Sequence, residues 1–168
     1  MRVEKNVSFE EVRAAFLKEN AIGFGSNEWA FNALEMANKQ FGNWVRGTLT
    51  PKDILGIMLP HHYHYEHELV PKLCSSVSGA IEKVESIPES HPCRKRIEEL
   101  SGRVTSPVFL SIAPITHPDY KGLTDRDYRG LTHLDGLHRL IAWGRTGRAG
   151  VVAYVAGMSL PPADGESD

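Results

Sequence analysis

Residues 131–157 read LTHLDGLHRLIAWGRTGRAGVVAYVAG, and the fold turns on how this stretch is parsed. A short strand-like segment runs into Asp135-Gly136-Leu137-His138-Arg139, an apolar-periodic helix follows to a glycine turn at Gly147, and Val151 to Ala156 reads as a buried strand. Gly136 lets the backbone turn sharply and come close to a ligand. The first free N–H groups of the helix then suit an anion. In the plain account Asp135 caps the helix, Gly136 makes the turn, and His138 and Arg139 are solvated residues of the first turn. Against it stands the helix dipole, which disfavours cationic side chains in a first turn unless an anion is present. Arg139 there makes better sense beside a phosphate or carboxylate, which a guanidinium grips bidentately.

Working outward, Arg96 to Leu100 reads as a helix and Pro107 to Ile112 as a strand, so the second half alternates helix and strand. Between them and the opening stretch lies a polar loop, His117 to Gly130, carrying Asp119, Asp125, Asp127, Arg126 and Arg129. In the plain account this is a solvated, turn-rich loop; loops of this length are often functional, and the alternative is a lid that brings its carboxylates and arginines over a phosphate. In the first half, Ser8-Phe9-Glu10-Glu11 reads as a capping box and Thr50-Pro51-Lys52-Asp53 as a second helix start. Gly23 and Gly25 break the first helix, and Ser26 or Asn27 can cap the next. The expectation is an α+β chain: a helical extension over residues 1–80, a small mixed sheet with helices over 81–157, and a disordered tail over 158–168.

The segment Asp135-Gly136-Leu137-His138-Arg139, with Gly147 closing the helix and strands on either side, resembles the ParB/sulfiredoxin-like superfamily. The likeness spans roughly residues 81–157. Sulfiredoxin-type chemistry needs a cysteine within the signature, which is absent here, and too few residues follow Gly157 for the DNA-binding module of partitioning proteins. The match is nearest to the members that phosphorylate free serine. That resemblance implies a nucleotide-dependent phosphotransferase using ATP or ADP with Mg²⁺, with Asp135 activating an acceptor hydroxyl and Gly136, His138 and Arg139 holding phosphates. Asp135 and His138 are the catalytic candidates. Those kinases also use an upstream glutamate, for which Glu82 and Glu85 are the nearest residues.

Composition bounds these expectations. The chain has 168 residues, 41% hydrophobic and 24% charged, as in ordinary globular proteins. Nineteen basic residues against twenty-one acidic ones leave a net charge of −2, which argues against sequence-independent binding to nucleic acid. No apolar run approaches the roughly 18 residues that span a bilayer, and the N-terminus has no secretory h-region, so a cytoplasmic location and a small-molecule substrate are expected. Two cysteines, Cys74 and Cys93, read as idle buried thiols. Trp29, Trp44 and Trp143 read as core or interface anchors, and His117 and His133 as ordinary loop and strand-end residues.

A second constellation is His61-His62-Tyr63-His64-Tyr65-Glu66-His67. On a helix, His61, His64 and His67 share a broad face, and His62 stands one turn from Glu66. Imidazoles with a carboxylate suit Zn²⁺ or Fe²⁺, although the spacing matches no specific zinc signature. His61, His64 and His67 are the candidate transition-metal ligands, the alternative being an amphipathic segment with a structural or substrate-lining role. Glu66, Glu68, Glu98 and Glu99 are possible general bases that nothing in the sequence ranks. Besides the phosphotransferase, two other functions fit: a metal- or acid–base-dependent small-molecule tailoring enzyme, and a non-catalytic module that senses a nucleotide and binds a protein partner.

Overall fold

The computed structural model describes residues 1–20, 26–103 and 106–161. In chain order the elements are β1 (Arg2–Val7), α1 (Phe9–Glu19), α2 (Ser26–Phe41), β2 (Trp44–Leu49), α3 (Pro51–Gly56), β3 (Met58–Leu59), β4 (His62–His64), β5 (His67–Val70), β6 (Ser75–Ser76), α4 (Val77–Val84), α5 (Pro92–Ser101), β7 (Val108–Ser111), α6 (Lys121–Thr124), β8 (Thr132–Asp135), α7 (Leu137–Thr146) and β9 (Val151–Ala156). A single 3-10 turn, Pro118–Tyr120, leads into α6.

Seven strands form one mixed sheet in the order β1-β2-β9-β7-β8-β3-β6. Neighbours are antiparallel except β7 with β9 and β3 with β8, which are parallel. Because successive side chains of a strand point to opposite faces, the sheet sorts its own residues into two cores. Val108, Leu110, Ala153 and Val155 pack with α3, α4, α5 and α7 on one face. Phe109, Tyr154 and Ala156 pack on the other, with Val12 and Phe16 of α1 and Leu34 of α2. On that second face Phe109 stacks on Tyr154 at 5.5 Å between centroids and meets Phe16 edge-on at 5.6 Å.

The mixed α and β architecture matches the expectation, and so do α5, β7, β8, α7 and β9. The first half does not. Residues 1–80 contribute β1, β2, β3 and β6 to the same sheet as the second half, so they are not a helical extension. β1 is an edge strand with alternate charged residues, and β3 and β6 have two residues each. None of these carries an apolar repeat. The helix starts were better marked. Ser8 accepts from the Glu11 N–H, although the Glu11 carboxylate pairs with Lys5 at 2.7 Å instead of returning to Ser8. Thr50 and Asp53 form the full reciprocal box.

The histidine-rich segment is a β-hairpin, not a helix: β4 and β5 pair His62 with Val70, Tyr63 with Glu68 and His64 with His67. Tyr65 and Glu66 form its two-residue turn with φ of 45° and 62°. Left-handed values at both turn positions match the right-handed twist of the flanking strands.

The loop from His117 to Gly130 is packed down rather than open. Tyr120 and Leu123 are buried, Asp125 pairs with Lys121 at 2.9 Å and Asp127 with Arg129 at 2.8 Å, and Arg126 donates to the Gly122 and Leu73 carbonyls. Of the tail, the Leu160 N–H donates to Asn6 Oδ1 at 2.8 Å. Residues 162–168 and the helix break at Gly23 and Gly25 lie outside the described residues. Among the described residues no helix is long and apolar enough to cross a membrane.

Candidate metal centre

Gly136 has φ 104° and ψ 26°, which hands the chain from β8 to α7. A side chain there is blocked twice over: by the positive φ, and because a Cβ would lie 2.7 Å from Val108 Cγ1. The turn sets Asp135 and Arg139 facing each other, with Arg139 Nη2 donating to Asp135 Oδ2 at 2.6 Å. Arg139 Nη1 donates to the carbonyls of Ser106 and Pro107 at 3.1 and 2.9 Å. The guanidinium is thus bound on two sides by the protein itself. Burial raises the Asp135 carboxyl above its ordinary range, and the Arg139 charge pulls it back.

These residues open onto a cleft of about 730 Å³. Asp135, Gly136, His138 and Arg139 line one part of it, and Trp29, His61, His62, Asp119 and His133 line the rest. His62 and His138 come with a third partner, Cys93 of α5. One potential ligand atom from each of the three lies within 4.8 Å of the other two. Cys93 Sγ is 3.5 Å from His62 Nε2 and also 3.5 Å from His64 Nδ1. The rings of His62 and His138 meet edge to face at 5.4 Å.

Three elements build this group. In β4, residues two apart share a face, which carries His62 and His64 together toward Cys93. Pro92 starts α5 and places Cys93 in its first turn. Gly136 starts α7 and places His138 in its first turn. His91 fastens the hairpin to α5: its Nδ1 accepts from the Cys93 N–H at 3.1 Å, so its Nε2 carries the proton and donates to the His64 carbonyl at 2.9 Å.

Burial keeps three of the imidazoles, His62, His133 and His138, uncharged. It pulls His62 down to about 4, helped by His64 and His61. It pulls His138 down to about 3, helped by His62 and Arg96. His133 falls to about 3 for the same first reason, with Arg139 adding to it. Neutral imidazole is the form that ligates a metal. Burial raises the Cys93 thiol, so a metal ion would have to displace its proton. Several ring nitrogens also lack hydrogen-bond partners: His61 Nε2, His138 Nε2 and both nitrogens of His133.

The metal ligands expected from the sequence were His61, His64 and His67, and the structure gathers a different set. His61 Nε2 faces the Glu68 carboxylate at 3.4 Å. His67 packs its ring against His91 at 5.1 Å. Only His64 of that trio reaches Cys93. Cys93, read as idle, is central. Trp44 and Trp143 are core as expected, whereas Trp29 lines the cleft. None of Glu66, Glu68, Glu82, Glu85, Glu98 or Glu99 lines it. Glu85 pairs with Arg145 at 2.7 Å, and Glu98 and Glu99 pair with Arg94 and Arg96.

Arg139 already has its partners, and the one ligand group among the described residues is imidazole and thiol, donors that suit zinc rather than magnesium. The whole chain, residues 1–168, matches the model of the family described as a family of unknown function, DUF6309, and the chain belongs to that family. No curated protein and no solved structure matches it.

Proposed function

We propose that the cleft is the catalytic site of a metal-dependent enzyme acting on a small molecule, with His62, Cys93 and His138 holding a divalent transition metal, zinc by donor chemistry. The observation that carries this is the ligand geometry. Zn–S of about 2.3 Å and Zn–N of about 2.0 Å at the tetrahedral angle put sulfur and nitrogen about 3.5 Å apart, which is the Cys93 Sγ to His62 Nε2 spacing. Three protein ligands with a fourth position for water or substrate is the pattern of catalytic zinc sites. Bound there, the metal would activate water or polarise a carbonyl for hydrolysis. Of the three carboxylates lining the cleft, Asp119 is a charged neighbour of His62 and Asp135 has an oxygen taken by Arg139, which makes Asp119 the freer proton acceptor beside the metal ligands. His64 stands at the same distance from Cys93 on the exposed hairpin tip and is the side chain that would close the fourth position.

The succession of β8, turn, α7 and β9 supports placing the second half near the ParB/sulfiredoxin-like fold. The phosphotransferase implied by that likeness is the weaker reading, because the arginine meant for phosphate is tied to Asp135.

Metal analysis of the purified full-length chain decides between them. One zinc per chain is expected, replaceable by Co²⁺ with a thiolate-to-cobalt absorption band that Cys93→Ser abolishes. A chain that takes up no metal from equimolar zinc, yet binds ATP with Mg²⁺ by calorimetry, would overturn the metal-centre reading.

A further inference from the structure

Among the described residues, His133 is the one buried side chain of the cleft whose two polar atoms both lack a partner residue. It is 4% exposed, it lines the cleft, and neither Nδ1 nor Nε2 bonds to another residue, its own backbone being the one polar group in reach. A neutral imidazole offers one donor and one acceptor, and buried polar groups in folded proteins are nearly always satisfied. A ring left this way inside a cleft is suited to a ligand that supplies both. Beside it stands Trp29, 6.4 Å away between centroids and inclined by 22°. Trp29 is itself steadied by Tyr120, nearly parallel at 6.4 Å, and by His117 edge-on at 5.7 Å.

The charges around the cleft point to what that ligand is. Arg139 is paired with Asp135, Arg96 with Glu99, and Asp119 lies 3.5 Å from His117 Nδ1. The cations lining the cleft therefore have partners already, and the remaining carboxylate, Glu19, disfavours an anion. Recognition falls to hydrogen bonds and ring stacking.

We infer that His133 and Trp29 form the substrate-binding subsite of this cleft, and that it takes a flat, uncharged group carrying a hydrogen-bond donor beside an acceptor, a primary carboxamide on an aromatic ring being the simplest case. This deepens the metal-centre proposal and rests on it for the chemistry that follows binding. His133 and Trp29 hold the flat group, while the metal ligands His62 and His138 line the same cleft.

The test titrates the zinc-loaded full chain, labelled with ¹⁵N in its histidines, with benzamide, benzoate, benzamidine and toluene. The His133 ring signals are identified by their loss in His133→Gln, and zinc content is measured in parallel. Benzamide is expected to shift them saturably and to bind at least tenfold tighter than the anionic, cationic and purely apolar analogues. His133→Phe should weaken benzamide at least tenfold with zinc content unchanged. Should that variant not fold, Trp29→Leu, at a partly exposed position, should weaken it severalfold. His133 signals that stay fixed, or equal binding of any of the three analogues, overturn the inference. A chain that holds zinc and ignores benzamide overturns the subsite and leaves the metal centre standing. A chain that binds benzamide through His133 and never takes metal does the reverse.

Discussion

Acid should destabilise this protein through His133, and the size of the effect follows from its environment. In the unfolded chain the imidazole titrates near 6.5, whereas in the fold burial holds it down to about 3. Below pH 6.5 the unfolded state therefore binds a proton that the native state refuses, so stability is full above that pH and is lost as pH falls toward 3. Between pH 7 and pH 5 the difference from this one group amounts to about 2 kcal/mol, approaching about 5 kcal/mol near pH 3. The smaller figure is already a large share of the roughly 5–15 kcal/mol that holds a domain folded. Denaturant midpoints of metal-free protein at pH 7, 6 and 5 would measure it, with His133→Phe as the comparison because phenylalanine keeps a flat ring beside Trp29. The variant should lose about 2 kcal/mol less than the wild type over that interval. Equal losses would mean that His133 protonates as easily folded as unfolded, and the picture of a sequestered, unsatisfied imidazole would be wrong.

Three further outcomes follow from the same geometry. His91→Ala removes the group that fastens Cys93 to the His64 carbonyl and should lower zinc affinity by about 10–100-fold in competition with a chromophoric chelator, as loss of a ligand-orienting partner does. Arg139→Met leaves Asp135 without its cation and should cost about 3–5 kcal/mol in chemical denaturation, much of which the double change with Asp135→Asn should restore. Gly136→Ala forces a side chain into positive φ against Val108, and a loss of about 1–3 kcal/mol is expected from the backbone alone; wild-type stability in that variant would mean the turn can relax.

The second half of the fold was legible because its signals are local and redundant. α7 combines an apolar face, a glycine at each end and a buried strand beyond it, each of which independently marks the same boundaries. In the first half only the helix starts carry such marks. Of the strands between them, β3 and β6 have two residues each and β1 lies at the sheet edge, while β2, six residues long and interior, finds its partner β9 more than a hundred residues away. The hairpin was masked in another way. Its turn, Tyr65-Glu66, uses none of the glycine or asparagine that normally announces positive φ, and histidines at positions 61, 64 and 67 satisfy a helical repeat as readily as they fill a two-stranded ribbon.

The site divides along the same line. His62, Cys93 and His138 come from three elements separated by a hairpin, a helix and half the sheet, so no spacing rule in the sequence could join them. What would have narrowed the choice is the first-turn position of both Cys93 and His138, since Pro92 and Gly136 mark the helix starts that aim them. The Asp135-to-Arg139 spacing is legible in the sequence and carries a second meaning. Cations in the first turn of a helix do call for an anion, and here the chain supplies one: Asp135, just ahead of α7, puts a carboxylate where the dipole favours negative charge and binds Arg139 directly. The anion that Arg139 calls for is a side chain four residues away, and His138, relieved of that duty and left with an unpartnered ring nitrogen, is the residue that turns toward Cys93 and His62.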